Sequence, residues 1–227
     1  MNETKNSVGR NIRQAVMVTL ALLLLCGFLF PVVLTGLSAV LFPDQAEGNL
    51  VKIGDTAIGS KLVGQEFTED YFLWGRPSAY HYNTYYEEDK NGDGEVEQYY
   101  NDGSDFAGLG SGSANYAPSN PALAERVEAD IETFLAKNPG VKKEDIPTDL
   151  MTASGSGLDP HISPASAQVQ VARIAGASGL TEKEVRQIID DNTQGKLFGI
   201  FGAETVNVLG VNVAIAERMG LVENKGA

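Results

Sequence analysis

Apolar positions along the chain follow three rhythms in succession. The first is an unbroken run, Gln14 to Pro43, in which no side chain is charged. As a helix rising about 1.5 Å per residue, its most apolar part, roughly Val16 to Leu37, is long enough to cross a hydrocarbon layer of about 30 Å. A cleaved secretory signal is the rival reading, but such signals have an apolar core of about 7 to 15 residues ending at a small-x-small site. This core is longer, and Leu37-Ser38-Ala39 fits poorly, so the stretch is read as an uncleaved anchor. Pro31 interrupts the helical ladder near its middle, which membrane helices tolerate when a neighbour or a local distortion satisfies the freed carbonyl.

The second rhythm is short and extended. Leu50 to Ile53 and Thr56 to Ile58 flank Gly54-Asp55, a pair suited to a two-residue hairpin turn. Further on, Tyr71-Phe72-Leu73-Trp74-Gly75-Arg76-Pro77-Ser78 forms an aromatic cluster closed by a proline turn, with Arg76 placed to fork onto a carboxylate. From Tyr80 to Gly112 the composition turns to tyrosine, acid and glycine, and an exposed insertion is expected over about residues 81–112.

The third rhythm is helical. Ser119-Asn120-Pro121 is a helix start, Leu123, Val127, Ile131, Phe134 and Leu135 recur at helical spacing, and Asn138-Pro139-Gly140 is a stop. Ser163 and Pro164 announce a second helical region with Ala167, Val171, Ile174 and Ala175 on one stripe. Thr181 and Glu184 have capping-box spacing ahead of Val185, Ile188 and Ile189, with Gly195 as the stop. Leu197 to Phe201 is read as a strand, Val206-Asn207-Val208 as another, and Val211, Ala214, Ile215 and Met219 as the buried side of a last helix. These elements predict an α+β fold: a cytoplasmic N-terminus (1–13), an anchor segment (14–43) and a single compact extracytoplasmic domain (44–227).

Charge sets the orientation. Lys5, Arg10 and Arg13 precede the apolar run against a lone Glu3, whereas Asp44 and Glu47 follow it, which by the positive-inside rule puts the N-terminus in the cytoplasm. The chain has 30 acidic and 17 basic side chains, and the excess lies beyond the anchor, giving a surface that repels nucleic acid and anionic lipid. The single cysteine, Cys26, lies in the anchor, so the domain beyond it relies on core packing rather than disulfides. One helix encloses no polar path, so any transport role must be shared with other chains.

Three constellations carry candidate chemistry. Asp89, Asn91, Asp93, Glu95 and Glu97, with Gly94 and Val96, match the first nine places of a calcium loop, but the twelfth place is Tyr100 rather than a bidentate glutamate and no helix is expected before Asp89. A weak calcium site and an acidic solvated hairpin both remain open. Ser156, Asp159 and His161 have the residue types of a hydrolase triad, although nothing in the pattern makes them converge, and His161 reads more simply as a capping or surface residue. The run Ser154-Gly155-Ser156-Gly157 suits either an anion-binding nest or a tight backbone path.

The stretch Thr152 to Pro164, TASGSGLDPHISP, is by its physics a connecting loop, and it also resembles the hallmark of the KdpC family, the small subunits of bacterial Kdp potassium-importing ATPases. The resemblance continues through Gln170, Arg173, Gly195, Gly202 and Val206-Asn207-Val208-Leu209. It reaches back over Gly59-Ser60, Leu62, Gly64-Gln65, Phe67, Tyr71-Phe72, Gly75-Arg76-Pro77-Ser78 and Asn115 to Leu123. It implies a non-catalytic subunit in the bacterial inner membrane that stabilises a pump built from a potassium channel-like subunit, a P-type ATPase subunit and a small single-span subunit. It further implies no cofactor of its own, with ATP acting through the partner, and a nucleotide contact at Gln170, which the deduced orientation opposes because ATP is cytoplasmic. No Asp-Lys-Thr-Gly run or Walker loop occurs in the chain, in keeping with hydrolysis by a partner. The competing class is a membrane-tethered extracellular binding module, with calcium as one candidate ligand.

Overall fold

The computed structural model describes residues 8–90, 92 and 94–222. Glu3 and Lys5, used for the charge bias, and Asn91 and Asp93 of the candidate calcium loop lie outside the described residues. The chain divides into two units between Asn49 and Leu50.

The first unit is a 34-residue helix, Val8–Leu41, long and apolar enough to cross a membrane. It consists of α1 (Val8–Leu24), a π-turn (Leu25–Leu29) and α2 (Phe30–Leu41). The π-turn sits immediately before Pro31 and is closed by the Phe30 N–H donating to the Leu25 carbonyl. Proline brings no N–H and crowds the preceding turn, and a widened turn is one way to absorb both. A short helix, α3 (Pro43–Ala46), follows, capped by the Asn49 N–H on the Asp44 carbonyl at 2.7 Å.

The second unit is α+β. It opens with the expected hairpin, β1 (Leu50–Ile53) and β2 (Thr56–Ser60), whose turn places Gly54 at φ 58°. A second hairpin, β3 (Tyr85–Glu88) and β4 (Glu97–Tyr100), pairs Tyr85 with Tyr100 and Glu88 with Glu97. The insertion is therefore a hairpin, and it is less exposed than its composition suggests: Tyr82, Tyr99 and Tyr100 are buried. Tyrosine explains this, since its ring packs while its hydroxyl finds an acceptor.

Helix α4 (Pro121–Lys137) starts where predicted, the Asn120 Oδ1 accepting from the Ala122 N–H at 3.0 Å, and ends at Asn138, whose Nδ2 donates to the Phe134 carbonyl at 2.8 Å. The helical region after Ser163 divides into α5 (Pro164–Gln168) and α6 (Val171–Ser178), with Gln170 at the break. Helix α7 (Glu182–Asp191) carries the full Thr181/Glu184 capping box, but it ends at Asn192, before Gly195, because the Asn192 side chain takes the Ile188 carbonyl. A three-stranded antiparallel sheet, β5 (His161–Ile162), β7 (Thr205–Asn207) and β6 (Thr193–Gln194), has β7 at its centre. His161 thus belongs to a strand rather than to the α5 cap. Helix α8 (Val208–Arg218) follows directly, capped by the Asn207 Oδ1 on the Gly210 N–H. Leu197 to Phe201 is not a strand: its ends bridge each other and its centre turns back in solvent.

Two apolar cores result. The main one joins Leu73, Ile162, Val171, Ile174, Val185, Ile189, Val206, Val211 and Ile215. The other gathers Phe134, Leu150 and Met151, with Trp74, Val127 and Ile131 against them.

Asp149 ties the loop before α5 to its cap. Its carboxylate accepts from the Ser166 hydroxyl at 2.6 Å and from the Ser163 N–H and hydroxyl at 2.7 and 3.1 Å. Burial raises its pKa, but those three bonds together outweigh burial and hold it below the usual carboxylate value. A carboxyl whose pKa is depressed by folding contributes stability above its unfolded pKa of about 4 and loses it as pH falls further. Urea unfolding of the detergent-solubilised chain should therefore show Asp149→Asn to be less stable at pH 7 and to lose less stability than the parent on acidification below about pH 4. Equal acid slopes in the two proteins would refute this role.

Candidate functional site

The residues Asp70 to Arg76 run between the two cores as irregular chain, with Leu73 fully buried in one core and Trp74 packed on the other. Such a segment has no ladder to satisfy its N–H and C=O groups, and each orphaned buried group would cost about 1–3 kcal/mol. Side chains take the place of the ladder. Asn212, on α8, accepts from the Leu73 N–H at 2.7 Å and donates to the Leu73 carbonyl at 2.9 Å. Gln170 does the same for Trp74, at 3.0 and 3.1 Å. Each carboxamide thus imitates one residue of a neighbouring strand.

Arg173, one turn further along α6, completes the clamp. Its Nη1 donates to the Asp70 and Phe72 carbonyls at 2.6 and 3.0 Å, its Nη2 to the Gln170 Oε1 at 2.6 Å and its Nε to the Asn138 Oδ1 at 3.2 Å. The guanidinium also lies 4.0 Å from the centre of the Trp74 ring. Burial pushes its pKa down to about 10, partly offset by Asp70, so it stays charged at neutral pH.

The far end of the segment is fixed by the hallmark loop. Arg76 donates to the Thr152 and Ala153 carbonyls at 3.1 and 3.3 Å and pairs with Asp159 at 3.3 Å through Nη1 alone, a carboxylate partner but not the fork expected. The Tyr82 hydroxyl donates to the Arg76 carbonyl at 2.8 Å, and burial, reinforced by Asp159, raises its pKa to about 12. The ring packs against Gly64, where an added Cβ would come within 2.3 Å of it. Gly157, at φ 66°, has the Gly112 carbonyl 2.1 Å from the place of a Cβ, so this glycine serves a tight backbone path, whereas Gly155 has open space around it.

A cleft of about 400 Å³ lies beside the clamp, lined among others by Glu66, Trp74, Arg76, Tyr82, Asp130 and Lys137. Its charged groups are already paired: Glu66 with His81 at 2.7 Å, Arg76 with Asp159, Lys137 with Asp70 at 2.9 Å and Asp130 with Arg126. Burial raises the Asp130 pKa against the pull of Arg126. These groups can hold chain segments together, and they form no nucleophile and base pair.

The sequence-predicted site residues are placed as follows. Gln170 has no exposed surface, and both ends of its amide are occupied, the Nε2 also donating to the Ser166 carbonyl at 3.0 Å. Asp89 accepts from the Gly92 and Gly94 N–H groups at 2.6 and 3.0 Å, while Glu97 lies in β4, accepting from Tyr99, so the acidic loop is flanked by strands and not by the helices of a calcium hand. Glu95 lies in the connecting loop between them. Among the described residues no group of three or more His, Cys, Asp or Glu side chains is arranged to hold a metal. Ser156 is bonded to Ser154 and to the Leu158 N–H, and His161 faces Asp159 and Asn207, so the triad types do not assemble. Asn212 went unnoticed in the sequence. Its signal was a carboxamide on the apolar stripe Val208, Val211, Ile215 of the last helix, a place where a polar group needs a specific partner.

Comparison with known proteins places the whole chain in a family. The model of the KdpC family, the c chain of the K+-transporting ATPase, matches residues 12–217. The potassium-transporting ATPase KdpC subunit of Clostridium kluyveri is 54% identical over 216 residues, covering 95% of this chain and 98% of the relative. That of Clostridioides difficile is 50% identical over 214 residues, covering 94% and 100%, and that of Caldanaerobacter subterraneus is 41% identical over 212 residues, covering 93% and 97%. On that near end-to-end match, the chain belongs to the KdpC family and is a subunit of a potassium-transporting ATPase.

Proposed function

We propose that the chain is a non-catalytic assembly subunit, held in the bacterial inner membrane by its single helix with the N-terminus in the cytoplasm and the acidic domain outside. There it stabilises the association of a channel-like subunit that selects potassium, a P-type subunit that hydrolyses ATP and a small single-span subunit. The observation that carries this reading is the match to potassium-transporting ATPase KdpC subunits over nearly the whole chain. Two features of the described residues support a structural role. Gln170, Asn212 and Arg173 hold a buried segment in one shape, and one helix is long and apolar enough to cross a membrane.

The anchor is the first place where a partner would dock. Gly27 and Gly36 have open space around the position of a Cβ, and with Thr35 and Ser38 they permit close helix approach. Any influence on the ATP affinity of the catalytic subunit is exerted at a distance, because Gln170 is enclosed and, by the charge bias, on the opposite side of the membrane from ATP. Calcium is no part of the proposed role.

Purification in mild detergent tests the reading. The chain should bring large polytopic subunits with it, and Gly27→Leu/Gly36→Leu should reduce their recovery several-fold without altering the isolated chain; a clean monomer from the parent strain would favour a free tether instead. Gln170→Ala should lower unfolding stability by about 1–3 kcal/mol for each orphaned partner, and the ATP concentration giving half-maximal activity of the assembled pump should not change. Weakened ATP affinity with unaltered stability would restore a nucleotide contact at Gln170.

A further inference from the structure

Between β6 and β7 the chain spends seven residues, Lys196 to Gly202, on a tip that nothing in its own domain covers. Leu197, Phe198, Ile200 and Phe201 are 64, 84, 75 and 64% exposed. Scattered apolar residues on a surface need no explanation, but four large ones within five positions form a patch. The tip is also fixed in shape. The Leu197 and Phe201 N–H groups each donate to the other's carbonyl, at 2.9 and 3.0 Å, and the Gly199 N–H donates to the Lys196 carbonyl at 2.9 Å. Its stem is the ladder pairing Thr193 with Val206 and Gln194 with Thr205, and Val206 is fully buried in the main core. Phe198 sits at φ 54°, a left-handed conformation that suits asparagine or glycine far better than phenylalanine, beside Gly199 at φ 72°. Folding alone asks for neither the ring nor its three apolar neighbours.

Three occupants could cover such a tip, and charge and size separate them. Interfacial insertion into lipid is normally supported by clustered lysine and arginine. Here one lysine, Lys196, is balanced by Glu204 on a strongly acidic chain. A second copy docking through four side chains alone would bury less than the roughly 800 Å² per partner of a standard interface. A rigid knob with two phenylalanines suits a preformed pocket in a protein already held nearby by other contacts, where a small aromatic anchor suffices.

We infer that the 196–202 tip is a preformed apolar knob that seats in an apolar pocket on another subunit of the pump. The inference rests on the assembly-subunit reading above and gives it a specific contact. The ring of Phe198, held outward by its left-handed backbone, is the central anchor, with Ile200 beside it.

The test uses the assembled pump purified in mild detergent, with the photoreactive residue p-benzoylphenylalanine replacing Phe198 or, as a control, exposed Lys183 on α7. Irradiation should join the chain to another pump subunit, identified by mass, at least tenfold more from position 198 than from 183. Adducts to lipid, to detergent or to a second copy only, in a complex that contains the other subunits, would overturn the knob and leave the assembly reading standing. Phe198→Asn/Ile200→Ser keeps a residue tolerant of the left-handed conformation while removing the apolar anchor. It should leave the thermal midpoint of the isolated chain unchanged and lower recovery of the other subunits several-fold, and unchanged recovery would overturn the inference. Should the parent chain purify with no other subunit, the assembly reading fails and the knob fails with it.

Discussion

The domain depends on making irregular backbone acceptable in an apolar interior. Leu73 and Trp74 join two cores, yet the segment that carries them has no strand beside it. Peptide groups left unpaired there would each cost about as much as a good core contact contributes. Asn212 and Gln170 remove that cost by presenting an acceptor and a donor at strand-like spacing, and Arg173 collects the carbonyls upstream. Because these groups are buried, water does not compete with their bonds, and the same burial makes the loss of any one of them expensive.

That constraint arranges the parts of the sequence that carry the family resemblance. The hallmark loop between Thr152 and Pro164 has no catalytic geometry: its carbonyls receive Arg76, its Asp159 pairs with the same guanidinium, and its Gly157 allows the chain at Gly112 to approach. Gln170, Arg173, Asn207 and Gly64 serve the same framework from helix, cap and turn. The side chains named here direct their polar groups inward, onto the chain's own backbone.

Local signals were legible in the sequence and long-range ones were not. The long apolar N-terminal helix, the Gly54-Asp55 hairpin, the Asn120 cap of α4 and the Thr181/Glu184 capping box are all settled by residues within a few positions of one another, and the structure has each of them. The strand read at Leu197 to Phe201 failed because an apolar run reports a need for cover without saying whether the same domain supplies it. The break at Gln170 was hidden because the amide that profits from it, Trp74, lies 96 positions away. Asn212 escaped notice for the same reason, its partner being 139 positions distant. In the acidic insertion Tyr82, Tyr99 and Tyr100 bury their rings, while Tyr85, Tyr86 and the hairpin's carboxylates stay exposed.

Hydrogen exchange measured by mass spectrometry on the full chain in detergent tests the central claim most directly. If side-chain amides do replace a strand along the buried segment, the Leu73 and Trp74 amides should exchange as slowly as those of Val211 and Ile215 in α8, opening only when the domain unfolds. Exchange of these two amides as fast as that of the solvent-exposed 101–104 turn would contradict the account.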